Sequence, residues 1–144
     1  METPAEVRLV LGSWSQLRAD ALAVRMEVFV VEQGIPPEME PDEHDQGALH
    51  AVAYDAQGTP LATGRLLPGG QIGRMATRAI ARGRGVGGAI LEALIARAKA
   101  DGQTTVVLRA QRTAERFYAA HGFVAEGAPF LEANIPHIRM RRPV

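Results

Sequence analysis

Seven consecutive residues, 82–88, combine four glycines with two arginines just before an apolar pattern of helical spacing. They are Arg82, Gly83, Arg84, Gly85, Val86, Gly87 and Gly88. The first turn of a helix carries unpaired N–H groups and the positive end of the helix dipole, and glycine lets a ligand approach the backbone closely. Arginine adds a fixed charge and forked donors. The segment therefore predicts a phosphate-binding turn rather than an ordinary loop.

The glycine spacing alone does not say which phosphate compound is bound. Gly83, Gly85 and Gly88 satisfy the dinucleotide pattern G-x-G-x-x-G, which would suggest a nicotinamide-dependent oxidoreductase. That site also needs an acid at the end of the following strand, but Asp101 precedes the strand and Arg109 lies near its end. No Gly-Lys-Ser/Thr follows the glycines, which excludes a P-loop. A dinucleotide enzyme is thus a distant alternative.

The composition is that of one globular domain spanning residues 1–144. With 47% hydrophobic and 22% charged residues and no cysteine, we expect a cytoplasmic protein without disulfides or a cysteine nucleophile. The opening residues do not resemble a signal peptide, and no apolar run suggests membrane insertion. Zero formal net charge argues against nucleic acid, and the four histidines have no metal-ligand spacing. Charge is unevenly distributed, because five carboxylates lie within residues 38–45 and residues 56–91 contain five arginines and no acid.

Short elements are predicted to position these residues. Ser13 and Gln16 form a capping box for a helix that ends near Gly34. The period of the hydrophobic pattern predicts two further helices, from 87 to 101 and from 114 to 121. The predicted strands are 7–11, 49–54, 60–67, 71–77, 104–110, 123–125 and 135–141. The fold class is α+β: a mostly antiparallel central sheet with one parallel strand pair, flanked by helices.

Three motifs in this order resemble the core of the GNAT acyltransferases. They are residues 72–77 (IGRMAT), 82–87 with the spacing Arg-x-x-Gly-x-Gly, and 117–123 (FYAAHGF). The Arg25 and 29–33 (FVVEQ) pattern, the acidic loop 38–45 and 135–137 (IPH) resemble the ElaA-like branch, so the likeness covers nearly the whole chain. It implies an N-acyltransferase that moves an acetyl or short acyl group from acyl-CoA to an amine of a small molecule or peptide by direct attack.

The resemblance also implies roles for particular residues. The main chain of Met75, Ala76 and Thr77 would bind the pantetheine arm of acetyl-CoA, and residues 82–88 its pyrophosphate. Gln111 stands where many family members have an asparagine, and Phe117 belongs to the same cofactor set. Tyr118 matches the tyrosine that protonates the departing sulfur, although packing beside Phe117 would also explain it.

The acceptor end is less defined by sequence. Five residues are candidates for the general base: Glu43, His44, Asp45, His50 and His137. The carboxylates of the acidic loop, Asp45 included, are predicted to recruit a cationic amine, with a solvated loop as the alternative. Arg25, Phe29 and Glu32, at i, i+4 and i+7 of the first helix, are expected in the acceptor pocket beside His137. A similar spacing occurs in acyl-homoserine-lactone synthases.

Two questions remain open from sequence alone. The same pocket could serve a non-catalytic sensor of acyl-CoA or a module that binds a partner protein. A homodimer is compatible with a fold of this kind, which often exposes a sheet edge.

Overall fold

The computed structural model describes residues 6–144, so residues 1–5, on which the absence of a signal peptide was partly argued, lie outside it. Seven strands and three α-helices follow one another in the described part of the chain. The strands are β1 Arg8–Gly12, β2 Leu49–Tyr54, β3 Pro60–Leu66, β4 Ile72–Thr77, β5 Thr105–Gln111, β6 Val124–Glu132 and β7 Ile135–Pro143. The helices are α1 Trp14–Arg25, α2 Val86–Ala100 and α3 Glu115–Ala120. The described helices include none that is long and apolar enough to cross a membrane.

The strands form two sheets. β1 to β4 make an antiparallel meander in sequence order, and the second sheet has the order β5-β7-β6, also antiparallel. The two sheets meet between β4 and β5, where the predicted parallel pairing is confined to a single bridge from Gln71 to Val107. Beyond that bridge the strands are not paired, so β4 and β5 border a gap between the sheets.

Side chains along β2 point alternately to the two faces of the first sheet, and both faces are covered by helices. Val52 and Tyr54 pack with Trp14, Leu17 and Ala21 of α1. Ala51 and Ala53 point the other way, into the core that α2 contributes to. The core side of α2 is formed by Ile90, Leu91, Leu94, Ile95 and Ala98. The meander is therefore held between α1 and α2, whose N-terminus lies beside the gap between the sheets.

The first helix has the predicted start and an unexpected second half. Ser13 and Gln16 form both hydrogen bonds of the capping box. After Arg25 the chain continues as a π-helical segment, Met26–Glu32, with the Gln33 N–H donating to the Val28 carbonyl at 3.1 Å. The altered period explains why Val31, predicted on the buried stripe, is 80% exposed.

The last hairpin is longer than its sequence indicated. β6 was predicted to stop at Ala125 but runs to Glu132, interrupted by an irregularity between Glu126 and Phe130. Gly127 and Pro129 lie in this interruption, and such residues normally argue against a strand. Ala133 and Asn134 turn the chain into β7 with φ angles of 52° and 61°.

Candidate active site

The gap between β4 and β5 opens into a cavity of about 1250 Å³. Its walls come from β4, the turn before α2, the end of β5, α3 and the π-helical segment. Because the sheets are joined by only one bridge, neither strand supplies a ladder partner to the other along this cavity. An extended ligand can therefore occupy the place of a missing strand interaction between them.

One end of the cavity is built mainly from backbone. α2 begins after Gly85, whose φ of 77° is left-handed, and no side chain caps its first N–H groups. A Cβ at Gly87 would lie 2.8 Å from Thr77 Oγ1, so only glycine leaves room at this position. Uncapped N–H groups at a helix start, with open space before them, fit the pyrophosphate of a coenzyme A ester.

The sequence-predicted cofactor residues line this cavity with one exception. Those in the lining are Met75, Ala76, Thr77, Arg82, Gly83, Gly85, Val86, Gly87, Gly88, Gln111 and Phe117. Arg84 lies in the same turn but is exposed and outside the lining, so its contact with the cofactor stays a prediction. Arg82 donates to the Thr77 carbonyl at 3.0 Å and to Glu32 Oε1 at 2.6 Å. The turn is thereby tied to β4 and to the end of the π-helical segment.

Tyr118 lies at the wall of the cavity and is 7% exposed. Its ring is 5.0 Å from that of Phe117 and 5.9 Å from that of Phe123, both nearly edge-on. Burial raises the pKa of Tyr118 above its ordinary value. The hydroxyl therefore keeps its proton at neutral pH, as a proton donor must. The ring packs in the core and the residue borders the cavity, so the proton-donor role of Tyr118 stays a prediction.

β4 is irregular where it borders the cavity. Arg65 pairs with Gly73 and Thr63 with Ala76, so Gly64 faces two residues of β4, Arg74 and Met75. This is a β-bulge, and Arg74 has a φ of 50°, uncommon for a residue with a side chain. Such strain costs about 1–3 kcal/mol and is concentrated at functional sites. The bulge frees backbone groups from the ladder directly beside the cavity.

A cluster of six charged side chains, called the ionic cluster below, lies at the other end of the cavity, where four of the six border the cavity and two are buried behind them. Its members are Arg25, Glu40, Asp42, Asp45, Arg65 and Arg74. Arg25 is 1% exposed, donates to both oxygens of Asp45 at 2.9 Å, and also pairs with Glu40. Arg65 joins Asp42 at 2.6 Å and Asp45 at 2.9 Å.

The ionic cluster corrects two acceptor-site predictions. Arg25 and Asp45 are buried, paired with each other and absent from the cavity lining, so neither can contact a substrate there. The prediction that the acidic loop attracts a cationic amine is wrong for Glu40, Asp42 and Asp45, whose charges are matched by three arginines. Arg25 therefore has a structural role, because its ion pairs hold the acidic loop against the first helix.

The pKa shifts in the ionic cluster follow from the same contacts. Burial alone would raise the pKa of Asp45, but hydrogen bonds and charge from Arg25, with help from Arg65, hold it far below its usual range. The pKa of Asp42 is lowered for the same reason by Arg65 and Arg74, against the effect of burial. Both carboxylates are therefore ionised at neutral pH.

The five base candidates separate by location. Asp45 and His50 are buried away from the cavity, and burial lowers the pKa of His50, whose Nε2 is 2.9 Å from the Asp45 carbonyl oxygen. Glu43 and His44 line the cavity with side chains that are 83% and 57% exposed. His137 also lines it, is 6% exposed, and has Nδ1 2.6 Å from the Ile135 carbonyl oxygen.

Phe29 and Glu32 both border the cavity, but not as one helical face. Phe29 is 8% exposed and packs with Val28, Ile35 and Ala76. Glu32 is paired with Arg82, whose hydrogen bond lowers its pKa. The π-helical segment explains the divergence, because its residues do not repeat with the α-helical period.

Several contacts between cavity residues had no sequence signal. Gln33 accepts a hydrogen bond from Gln111 Nε2 at 2.8 Å, joining the end of the π-helical segment to the end of β5. Glu132 pairs with Arg109 at 2.7 Å and has Oε2 3.8 Å from His137 Nε2. The contacts of Gln33 with Gln111 and of Arg109 with Glu132 join residues more than twenty positions apart, and only the fold brings them together.

A split pair of sheets with a glycine-rich helix start at the gap defines the class of acyl-CoA N-acyltransferases. Residues 15–143 match the family model described as the acetyltransferase (GNAT) domain. The chain therefore belongs to the GNAT acetyltransferase family.

Relatives of the same length agree with this assignment. An uncharacterized N-acetyltransferase of Bacillus subtilis, YjcF, is 37% identical over 94% of this chain and 99% of its own. The crystal structure of an acyl-CoA N-acyltransferase from Pseudomonas aeruginosa is 34% identical, with a TM-score of 0.84 over 94% of this chain and 99% of that one. Escherichia coli ElaA is 27% identical, with the same TM-score and coverage. The protein is thus an acyl-CoA-dependent N-acetyltransferase whose acceptor is an amine.

Proposed function

We propose that the protein transfers an acetyl group from acetyl-CoA to an amine by direct attack, without a covalent enzyme intermediate. The observation that carries this proposal is the uncapped N-terminus of α2 beside the gap between β4 and β5. Residues 82, 83 and 85–88 would hold the pyrophosphate there, and Met75, Ala76 and Thr77 the pantetheine arm. When bound, acetyl-CoA supplies a thioester carbonyl for attack.

The bulge in β4 is proposed to hold that carbonyl. Gly73, Arg74 and Met75 line the cavity where the ladder with β3 is interrupted, so a backbone N–H of this stretch can donate to the carbonyl oxygen. Donors fixed in advance stabilise the negative charge that develops on the oxygen in the transition state. The main contribution of this half of the site is therefore position and polarity, both set by backbone.

Protons are proposed to move at two places. Tyr118, whose phenol is protonated at neutral pH even at its ordinary pKa, would donate to the departing sulfur. A base at the other end of the cavity would take the proton from the amine, and the remaining candidates are Glu43, His44 and His137. His137 has a fixed ring, because Nδ1 donates to the Ile135 carbonyl and leaves the Nε2 lone pair beside Glu132 in the neutral tautomer.

Calorimetric titration with acetyl-CoA, followed by an amine panel, tests the proposal. One-site binding together with a thiol product that appears only when an amine is present would support it. Saturable CoA binding without turnover on any amine would support the sensor alternative instead. Absence of binding at millimolar acetyl-CoA would overturn the proposed cofactor. Propionyl- and octanoyl-CoA in the same assay measure how strongly acetyl is preferred.

Among the base candidates, variants at His137, Glu43 and His44 can be compared through the pH dependence of kcat/KM. Replacing the base by Gln or Asn removes the acidic limb of that profile, whereas replacing a bystander leaves the limb in place. The half-buried Glu126 on β6, paired with Arg139, provides a control that lies outside the cavity.

A further inference from the structure

Glu132 and His137 leave two hydrogen-bond acceptors free on one wall of the cavity. Both residues line the cavity, at the end of β6 and near the start of β7. Arg109 donates to Glu132 Oε1 at 2.7 Å and leaves Oε2 without a hydrogen-bond donor among residues 6–144. In the same described part of the chain, His137 Nε2 has no hydrogen-bond partner either. Neither atom is among the buried polar atoms that lack a partner, so both remain accessible.

The ring of His137 is fixed with its accessible nitrogen as the acceptor. Nδ1 lies 2.6 Å from the Ile135 carbonyl oxygen, which can only accept a hydrogen bond. In the neutral imidazole Nδ1 therefore carries the proton and Nε2 the lone pair. Phe130 stacks against the ring, with 5.9 Å between the centroids and 24° between the planes. The imidazole is thus held in the orientation that a base on this wall requires.

The separation of the two accessible atoms suits one shared donor. His137 Nε2 and Glu132 Oε2 are 3.8 Å apart, which is too far for a direct hydrogen bond. A nitrogen between them reaches both at about 2.8–3.0 Å, an ordinary hydrogen-bond length. A neutral primary amine has two N–H groups to donate in this way and keeps its lone pair for attack. The carboxylate also stabilises the imidazolium that forms when Nε2 takes a proton.

The pair lies at the level of the bulge proposed to hold the acyl carbonyl. β4 and β5 run in the same direction from the bridge between Gln71 and Val107. Met75 and Gln111, each four residues further along, are therefore about level across the gap. Gln111 is in turn the ladder partner of His137 in β7. An amine held by His137 therefore lies one strand beyond the gap, on the side from which it can reach the carbonyl.

The other two base candidates lack this support. The side chains of Glu43 and His44 are 83% and 57% exposed, and their ion pair in the described part of the chain is with each other, at 3.5 Å. The side chains of Glu132 and His137 are 33% and 8% exposed, and each is fixed by a second group. A group held in place loses less side-chain entropy when it binds an amine than an exposed one does.

We propose that Glu132 and His137 together hold the amine of the acceptor and that His137 is the general base, with Arg109 positioning Glu132. The inference rests on the proposed acyl transfer and deepens it at this end of the cavity. The amine lone pair forms the C–N bond to the acyl carbon, and the C–S electron pair leaves with the sulfur. The amine's proton passes to His137 Nε2, and the sulfur receives a proton from Tyr118. Exchange with solvent then restores both residues.

A double-mutant cycle tests the pair through CoA release from acetyl-CoA with benzylamine as the acceptor. His137→Gln should lower kcat/KM for benzylamine about 100-fold, within the range for general base catalysis. Glu132→Gln should lower it about tenfold alone but less than about threefold in the His137→Gln background, because both residues act on one nitrogen. If the wild type does not use benzylamine, hydrolysis of acetyl-CoA is compared instead, since an attacking water needs the same base.

Glu126→Gln is the matched control for Glu132→Gln. Glu126 lies on the same strand, its side chain is 35% exposed, and it pairs with Arg139 at 2.8 Å, but it lies outside the cavity. Its kcat/KM should stay within about twofold of wild type. Full activity in His137→Gln, or an equal loss from Glu132→Gln in both backgrounds, would overturn the proposal and leave acyl transfer intact. Failure of the wild type to bind acetyl-CoA in a calorimeter would instead overturn the proposed function.

The tautomer of His137 provides a test that needs no acceptor. A long-range proton–nitrogen NMR spectrum of the labelled wild type above neutral pH, assigned with His137→Gln, should show the Nδ1–H form for this residue. Glu126→Gln should give the same His137 signals. The Nε2–H form would place the proton on the nitrogen assigned as the base and would overturn the proposal.

Discussion

The two ends of the cavity are built in different ways. The end beside α2 is formed by backbone: an uncapped helix start, a left-handed glycine and a bulged strand. The opposite end is formed by side chains, with six charges held by one another at the ionic cluster. A backbone site can bind one constant ligand with few side chains, whereas a side-chain site can change its acceptor by substitution. Substitutions at the two ends should therefore have different effects, on stability at the ionic cluster and on cofactor affinity at the start of α2.

The largest effect is expected from breaking the ionic cluster at its centre. Asp45→Ala would leave Arg25 and Arg65 buried without their shared carboxylate, which costs about 3–5 kcal/mol in the free energy of unfolding. Urea unfolding followed by circular dichroism measures this. Glu43→Gln, in the same loop but exposed, should change the free energy by less than about 0.5 kcal/mol. Similar losses of stability in both variants would contradict the structural role of the ionic cluster.

The pH dependence of stability should identify the same carboxylates. The pKa of Asp45 and of Asp42 is lower in the folded than in the unfolded protein, so their stabilisation is complete above the unfolded pKa, near 3.8. It is lost progressively as the pH falls below that value toward the folded pKa. Asp45→Asn should flatten the change in free energy of unfolding between pH 5 and 2, measured by urea titration. A wild-type-like slope in this variant would rule out Asp45 as its source.

A substitution at Tyr118 should separate the effect on catalysis from the effect on cofactor binding. Tyr118→Phe removes only the hydroxyl from a packed ring, so we expect kcat to fall about 100-fold, within the range for general acid catalysis. Acetyl-CoA affinity by calorimetry should stay within about twofold, because binding belongs to the backbone end. A variant with full turnover would leave Tyr118 as a packing residue only.

A methyl group in the backbone end should damage binding more than folding. In Gly87→Ala the new Cβ would lie 2.8 Å from Thr77 Oγ1, in the first turn of the helix whose start is proposed to bind the pyrophosphate. We expect acetyl-CoA affinity to fall about tenfold, or about 1.4 kcal/mol. Gly47→Ala is a suitable control, since a Cβ there meets nothing within 4 Å. Equal affinity in the two variants would exclude close backbone approach at Gly87.

The smallest effect concerns the hydrogen bond between Gln33 and Gln111. If Gln111 binds the pantetheine arm, Gln33→Met frees its amide and should tighten CoA binding two- to tenfold, in line with about 0.5–1.5 kcal/mol per hydrogen bond. Gln111→Met should weaken binding instead. Calorimetry on both variants decides the matter, and shifts in the same direction would mean that the pair is only structural.

The same contrast explains what could be predicted from sequence. The backbone end is local, because Gly85, Gly87 and α2 are neighbours in the chain, and their pattern predicted both the turn and an anion as its ligand. The bridge from Gln71 to Val107 likewise followed from the order of a strand, a helix and a strand, although its single-residue extent did not. A site built from residues that are close together in the chain can therefore be predicted from their spacing.

The side-chain end depends on contacts between residues that are distant in the chain, and residue spacing does not predict such contacts. Arg25 and Asp45 were each predicted to meet substrate, and the structure shows that they meet one another across twenty residues. Gln33 and Gln111 lie 78 positions apart. A charged residue in a sequence has no visible partner, so its burial in a pair cannot be distinguished from exposure at a site. The acidic loop was misinterpreted for this reason.

The π-helical segment holds one residue more than an α-helical segment would need. In an α-helix each residue advances about 100° around the axis, and a π turn accommodates one residue more than an α turn. Deleting exposed Val31 would therefore let Met26–Glu32 relax to α-helix while the residues that follow keep nearly their direction around the axis. Glu32 would stay beside Arg82, and Gln33 beside Gln111. In a mutational library, deletion of Val31 should therefore be tolerated about as well as its substitution.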